Sequence, residues 1–420
     1  MDLNRTAAQQ MDEQDPLKHF RAQFLFPKTK TEKDAIYFCG NSLGLQPVKT
    51  KAYVEQELRD WANFGVHGHH QAKHAWLPYH EFLTDSMARI IGAKPIETVV
   101  MNTLTVNLHL MLVSFYRPEG KRTKILIEHS CFPSDRYAVE SQIRFHGYDP
   151  ATQLIILQPE PGEAYVSKET IENVFKKQGD EIALALIGSV NYYSGQAYPI
   201  KFITELAHQS GCLVGFDLAH GAGNLLLKLH EEGPDFAIWC GYKYLNGGPG
   251  SLAGCFVHER HAYSYDIPRF TGWWGHNKKS RFKMSPHFEI MSGAEGWQLS
   301  NPPILPMACL RASFELFDEA GMDNLRLKSM QLGNVLFNLI DEMDHPKLKI
   351  ITPRSEAERG CQISIQLKDA DKTIFNKITE AGVIADWREP DVIRLAPVPL
   401  YNSFTDIFDF IQILKQALND

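Results

Sequence analysis

Between residues 98 and 257 the chain alternates short apolar runs with segments of helical spacing. The runs are TVVM, KILIE, LIIL, IALALI, CLVGF, FAIW and LAGCFV. Runs this short, rich in β-branched residues, read as strands, and strands separated by helices read as a mostly parallel sheet with helices on its faces. The expected fold class is therefore α/β. Pro133 to Phe145 has helical spacing closed by Gly147, and Pro199 to Ser210 is closed by Gly211, glycine being the usual residue just past a helix end. After Asn301-Pro302-Pro303 the pattern changes to long helices, Ile304 to Ala320 and Met322 to Met343, followed by the strand-like runs LKIIT, QISIQL and DVIRL. That change marks a smaller α+β C-terminal domain. The N-terminal part holds an extended piece, AIYFCGNSLG, and a helix expected to open at Pro47. The division expected is an N-terminal segment, 1–60, packing with the small domain, a large domain, 61–305, and the small C-terminal domain, 306–420.

Charge and cysteine usage narrow the function classes. Lys plus Arg total 43 against 50 Asp plus Glu, with no basic run, so nucleic acid and anionic membrane are poor partners. No apolar run approaches the roughly 18 residues needed to cross a bilayer. The N-terminus, MDLNRTAAQQMDEQDP, lacks the basic and apolar regions of a secretory signal, which gives the cytoplasm as the expected location. The seven cysteines are widely spaced, mostly among apolar residues, and include no CxxC pair. They read as reduced core thiols, not as a zinc site.

The stretches GFDLAHGAGN and WCGYKYLNGGPG carry the most chemistry, because Asp217 ends one apolar strand and Lys243 follows another. In open α/β sheets ligands bind at the C-terminal ends of the strands. A lysine to hold an aldehyde and a carboxylate to keep a pyridine nitrogen protonated are the pair that pyridoxal 5'-phosphate (PLP) needs. Each residue alone reads equally well as a helix cap or a surface lysine; together they favour the cofactor. His220, three residues past Asp217, is placed to hydrogen-bond the ring, a satisfied core histidine being the alternative. Leu104 and Thr105 stand where a strand passes into the helix VNLHLMLVSF, a position that suits phosphate, with a plain N-cap as the bland role for Thr105. Phe132, in CFPSD, can stack on the ring.

Two clusters point to substrate. Arg394, in DVIRLAPVPLYNSF, can grip a carboxylate with its planar fork, a surface ion pair being the alternative. The segment FGVHGHHQAKHAW collects His67, His69, His70 and His74, but no Cys or carboxylate accompanies them and Gly65 and Gly68 indicate a loop. Substrate contact is expected there, and a metal is not.

The motifs GNSLG (40–44), NTLTVNLHL (102–110), FPSD (132–135), GFDLAH (215–220), YKYLNGGPG (242–250), GWWGH (272–276), SNPPIL (300–305) and RLAPVPLYNSF (394–404) together resemble kynureninase, in order along the chain. The resemblance implies the aspartate-aminotransferase type of fold, fold type I of the PLP enzymes, and a homodimer with the active site at the subunit interface. It also implies hydrolysis of L-kynurenine to anthranilate and L-alanine, and of 3-hydroxykynurenine to 3-hydroxyanthranilate, in tryptophan degradation or NAD precursor supply. By the same resemblance Lys243 holds PLP, Asp217 and His220 meet the ring, and Phe132 stacks on it. Leu104, Thr105, Pro133, Ser134, Asp135 and Tyr242 surround the cofactor, with Tyr242 a proton relay. Trp273 and Asn301 come from the neighbouring subunit, Arg394 takes the substrate carboxylate, and Ser42, His69 and Asn301 lie near the aromatic end. One departure is in IGSVNYYSG, where the family pattern has its serine at the place of Gly188, leaving open whether Gly188 or Ser189 meets the cofactor. Other PLP enzymes of this fold, a cysteine desulfurase or an aminotransferase, are the alternative, and a non-enzymatic metabolite- or metal-binding protein is a more distant one.

Overall fold

Strand residues alternate between two cores. In KILIE, Ile125 and Ile127 belong to one buried cluster and Leu126 to the other, as the period of two in a strand requires. The structure, a computed structural model, describes residues 4–419; residues 1–3 and 420, at the ends of the expected N-terminal segment and small domain, lie outside that range. Seven strands form the central sheet: β1 Thr98–Val100, β2 Lys124–Glu128, β3 Leu154–Leu157, β4 Ile182–Gly188, β5 Leu213–Asp217, β6 Phe236–Trp239 and β7 Gly254–Val257. Their spatial order is β1-β7-β6-β5-β4-β2-β3. Strands β2 to β6 run parallel, while β7 is antiparallel to both its neighbours. Unbroken apolar runs such as IALALI suit strands covered on both faces.

The helices that contribute to the cores include α1 Arg5–Gln14, α2 Thr50–Phe64, α3 Leu104–Phe115, α4 Pro133–Phe145, α5 Ile304–Ala320, α6 Met322–Met343 and α7 Phe404–Asn419. Leu108, Met111 and Phe115 of α3 and Val139 of α4 fill the core on one face of the sheet. Met307, Leu310 and Phe314 of α5 join the core on the other. The helix expected at Pro47 begins instead at Thr50. Pro47 lies in a two-residue strand, Gln46–Pro47, antiparallel to Phe24–Leu25, a short pairing in which its fixed φ is tolerated.

Beyond α5, a four-stranded antiparallel sheet of β8 Leu348–Ile350, β9 Ile363–Leu367, β10 Asp386–Arg388 and β11 Val392–Leu395, in spatial order β8-β9-β11-β10, packs with α6 and α7 around a third core. The start of the chain reaches this unit. Ala8 of α1 and Phe38 belong to its core, and Ile36–Tyr37 pairs in parallel with Val383–Ile384. Asp12 caps α7, accepting from the Phe404 N–H at 2.7 Å and the Thr405 N–H at 3.1 Å. Helix α2, which spans residue 60, packs on α5. All seven cysteines are free, and Cys212, Cys240, Cys255 and Cys361 are buried. No helix among the described residues is long and apolar enough to cross a membrane.

Candidate active site

Three neighbouring parallel strands, β2, β4 and β5, end at one edge of the sheet in Glu128, Gly188 and Asp217. Gly188 is the register partner of Asp217, and the Ser189 N–H donates to the Asp217 carbonyl at 2.7 Å. A cleft of about 540 Å³ opens over this row. Tight packing behind the row depends on Gly215 of β5, where any Cβ would run into the Phe236 ring.

Lys243 enters the cleft from the connection between β6 and β7. Its Nζ lies 5.7 Å from the centre of the Phe132 ring and 6.0 Å from that of Tyr242. The backbone behind it is clamped by the loop 40–44. The Gly44 N–H donates to the Tyr242 carbonyl at 2.8 Å, and a Cβ on Gly44 would collide with the Lys243 carbonyl. Ser42 sits on that loop, half-buried, its N–H donating to Cys39 O at 2.9 Å.

Asp217 is buried, with one carboxylate oxygen accepting from the Ala219 N–H at 2.6 Å. Asp135, in the first turn of α4, is buried beside it. Burial raises both carboxyls, and the facing Asp217 charge pushes Asp135 well above the usual carboxylate range. Asp135 therefore keeps a proton that it shares with Asp217, and Asp217 carries the negative charge. His220 is buried in the same cleft. Burial, and then the Lys243 charge, hold its ring well below the usual histidine range, so it is neutral, and its Nδ1 has no hydrogen-bond partner among the described residues.

The alternative role of N-cap does not fall to Thr105. Thr103 is the N-cap of α3 and makes no side-chain cap, so the first-turn N–H groups of Leu104 and Thr105 are left without one. The Thr105 hydroxyl instead lies 3.0 Å from the Ser134 hydroxyl, in the first turn of α4, where Pro133 is the first residue and its missing N–H removes nothing. Two uncapped helix starts and two hydroxyls form a cradle for a phosphate. Phe132, 44% exposed, stands over the cleft with its ring edge-on to Tyr192. A free lysine, a buried carboxylate pair, an unpartnered imidazole nitrogen and this cradle fit the aldehyde, ring and phosphate of PLP.

Gly188 lines the cleft, whereas Ser189 is buried behind it with an unpartnered hydroxyl. Arg394 lies behind Tyr192, 1% exposed, its Nη1 donating to the Tyr192 carbonyl at 2.9 Å and its Nε to Asp386 at 3.0 Å. His69 is not brought to the cleft in this chain. It contacts Val66 O at 2.9 Å and meets the Trp76 ring edge-on, and the loop expected around Gly65 and Gly68 is a pair of short helical turns continuing from α2. Trp273, 40% exposed, packs edge-on to Phe282, and Asn301 is exposed. Sequence reasoning passed over Glu128, Val190, Tyr192 and Ala219, which line the cleft, and Asp386, which holds Arg394. For Glu128 a signal existed: a lone carboxylate closing the run KILIE. Its side chain accepts from the Gly188 N–H at 3.1 Å, and burial pushes it up to about 7.

Among solved structures, a C-DES mutant with glycine covalently linked to its PLP cofactor superposes with a TM-score of 0.79 at 15% identity, covering 94% of this chain and 98% of that one. The apo cysteine desulfurase of Thermococcus onnurineus NA1 gives 0.75 at 17% identity over 92% and 95%. At such identities the likeness establishes the fold, that of fold-type I PLP enzymes. Residues 325–414 match the kynureninase C-terminal domain. Along the whole chain the similarity is far higher: the kynureninase of Koribacter versatilis is 53% identical, covering 100% of this chain and 99% of its own. Sharing 54% of aligned residues with the kynureninase of Myxococcus xanthus over 97% of its length and 96% of that protein's, the chain belongs to the kynureninase family.

Proposed function

We propose that the protein hydrolyses the Cβ–Cγ bond of L-kynurenine and of 3-hydroxykynurenine, releasing L-alanine and the anthranilate, with PLP held on Lys243. The carrying observation is the convergence of Lys243, the Asp135–Asp217 pair and the Thr105–Ser134 cradle on one cleft. PLP bound there supplies an electron sink for negative charge at the substrate Cα. Lys243 Nζ holds the aldehyde carbon and moves the proton at Cα. Asp217, anionic because the shared proton rests on Asp135, keeps the pyridine nitrogen protonated. Neutral His220 offers Nδ1 to the polar edge of the ring, and Phe132 covers one face. Leu104, Thr105, Pro133, Ser134 and Tyr242 surround the phosphate end. Tyr242, raised by burial and by Cys240, keeps its hydroxyl proton and relays it to Cβ of the alanine fragment, while water supplies the oxygen that leaves on Cγ with the anthranilate. Arg394 takes the substrate carboxylate: its Nη2 lies 2.9 Å from Asp386 without a well-directed bond, leaving a buried donor to satisfy.

Trp273 and Asn301 lie outside the cleft of their own chain, and Phe270, Phe282 and Met284 expose apolar surface in the same stretch or next to it. These observations support a homodimer in which each subunit completes the other's site, Asn301 and His69 standing near the aromatic end with Ser42. The reading keeps the division 1–60, 61–305 and 306–420, and a cytoplasmic location. A desulfurase would need a reactive thiolate at the cleft; Cys255 and Cys361 are fully buried, and burial pushes both thiols up.

Borohydride reduction of the yellow holoenzyme followed by peptide mapping is expected to place the adduct on Lys243. Lys243→Ala is expected to retain PLP through phosphate and ring contacts and to lose turnover by at least about a thousandfold. An adduct on another lysine, or a variant with near-normal turnover, overturns the assignment.

A further inference from the structure

Glu128 stands inside the cleft with no part in the proposed hydrolysis. We propose that Glu128 is a positioning residue for the cofactor ring: held by the Gly188 N–H, its carboxyl joins the strand-end row beside Asp217 and, through its charge, sets how firmly the Asp135–Asp217 pair holds a proton on the pyridine nitrogen. The proposal rests on the assignment of Lys243 and Asp217 to PLP.

The geometry comes from strand order. β2, β4 and β5 are neighbours, so Glu128, Gly188 and Asp217 end side by side. Glycine at 188 leaves the room that the acid fills, since a Cβ there would sit 2.7 Å from Glu128 Oε1. Among the described residues, one backbone N–H, at 3.1 Å, is the only hydrogen-bond donor to the carboxyl from beyond its own residue. A buried carboxylate with so little support is unusual for a purely structural acid.

The titratable groups facing it are Asp217 from β5, Asp135 from α4, Cys131 from the turn before α4, and Tyr198. None is a cation, and among the described residues Glu128 has no ion pair. Among the described residues, Lys243 is the positive group that acts on Asp135 and Asp217. Before PLP binds, three buried carboxyls cannot all ionise against the single Lys243 ammonium. Asp135 keeps its proton, while Glu128, pushed up to about 7 by burial, exchanges its own in the neutral range. Below that range the row carries the Asp217 charge alone. Above it a second negative charge stands beside Asp217, and a protonated ring nitrogen is held more firmly.

The test is Glu128→Gln, which retains an oxygen to accept from Gly188 and cannot ionise. PLP dissociation constants are measured for wild type and variant between about pH 6 and 8, together with the ¹⁵N shift of ring-labelled PLP in each holoenzyme. Wild type is expected to gain roughly three- to tenfold more affinity than the variant across that range, and its ring signal to titrate within it where the variant's stays flat. Gly188→Ala, which pushes the carboxyl aside without removing it, is expected to shrink the same wild-type step. Superimposable curves for wild type and Glu128→Gln overturn the proposal. Should Glu128→Gln fail to fold, an unchanged titration in Gly188→Ala does so instead. Borohydride trapping on Lys243 in the same wild-type sample separates the two readings: trapping with coincident curves removes only the role of Glu128, and no trapping on Lys243 removes both.

Discussion

Arg394 is charge-balanced before any substrate arrives. Its guanidinium is buried, and Asp386, its register partner on β10, lies 2.9 Å away, so its own charge is not left bare. In the proposed dimer, discrimination at the far end of the substrate would fall to His69 and Asn301, which can both hydrogen-bond a ring hydroxyl. A buried polar group left unpaired costs about 1–3 kcal/mol, so the wild type is expected to favour 3-hydroxykynurenine over kynurenine by roughly one to two orders of magnitude in kcat/KM. Steady-state rates on both substrates, in the wild type and in His69→Phe with Asn301→Thr, check this. Equal or better use of plain kynurenine by the wild type, with no change of ratio in the variant, rules it out. The place of Asp217, Thr105 and Phe132 in the cleft was legible because each sits at a strand end or helix start that local pattern marks, and that of Lys243 because it follows an apolar strand. Asp386 was not, because its pairing with Arg394 depends on the register of two strands, which the spacing of eight residues does not reveal. Glu128 was passed over although it closes the run KILIE, because that signal marks a strand-end carboxylate without telling whether solvent or a buried cleft lies beyond it.

At the scale of elements, apolar rhythm located all seven strands of the central sheet but not the direction of β7. The clue lay in the connection before it. WCGYKYLNGGPGSLAG contains no helical stretch, and a parallel return normally needs a crossover helix, so β7 comes back antiparallel beside β6. The same absence of a helix leaves Lys243 on an irregular segment aimed into the cleft. Capping was similarly hidden, since the residue that caps α7 is Asp12, from the other end of the chain. Asp12→Ala is expected to destabilise the protein by about 1–2 kcal/mol through loss of those two bonds, with cofactor affinity unchanged. Denaturant unfolding of the variant against wild type measures it, and equal midpoints contradict the capping role.

For the whole molecule, the exposed aromatic and apolar residues from Phe270 to Met284 set the expectation for assembly. Sedimentation velocity is expected to give twice the mass of the chain, and Phe282→Asp to shift the population toward monomer and lower turnover by about tenfold or more, because Trp273 and Asn301 then leave the partner's cleft. A wild-type monomer with full turnover contradicts that arrangement. The junction of chain ends also imposes an order in time. Arg5 bonds Asp409 across 404 positions, and Ile36–Tyr37 finds its strand partner only at Val383–Ile384. During synthesis residues 5–37 thus emerge long before they can be seated, and a nascent chain stopped short of residue 383 carries residues 36–37 unpaired while the central sheet behind them is already fully translated.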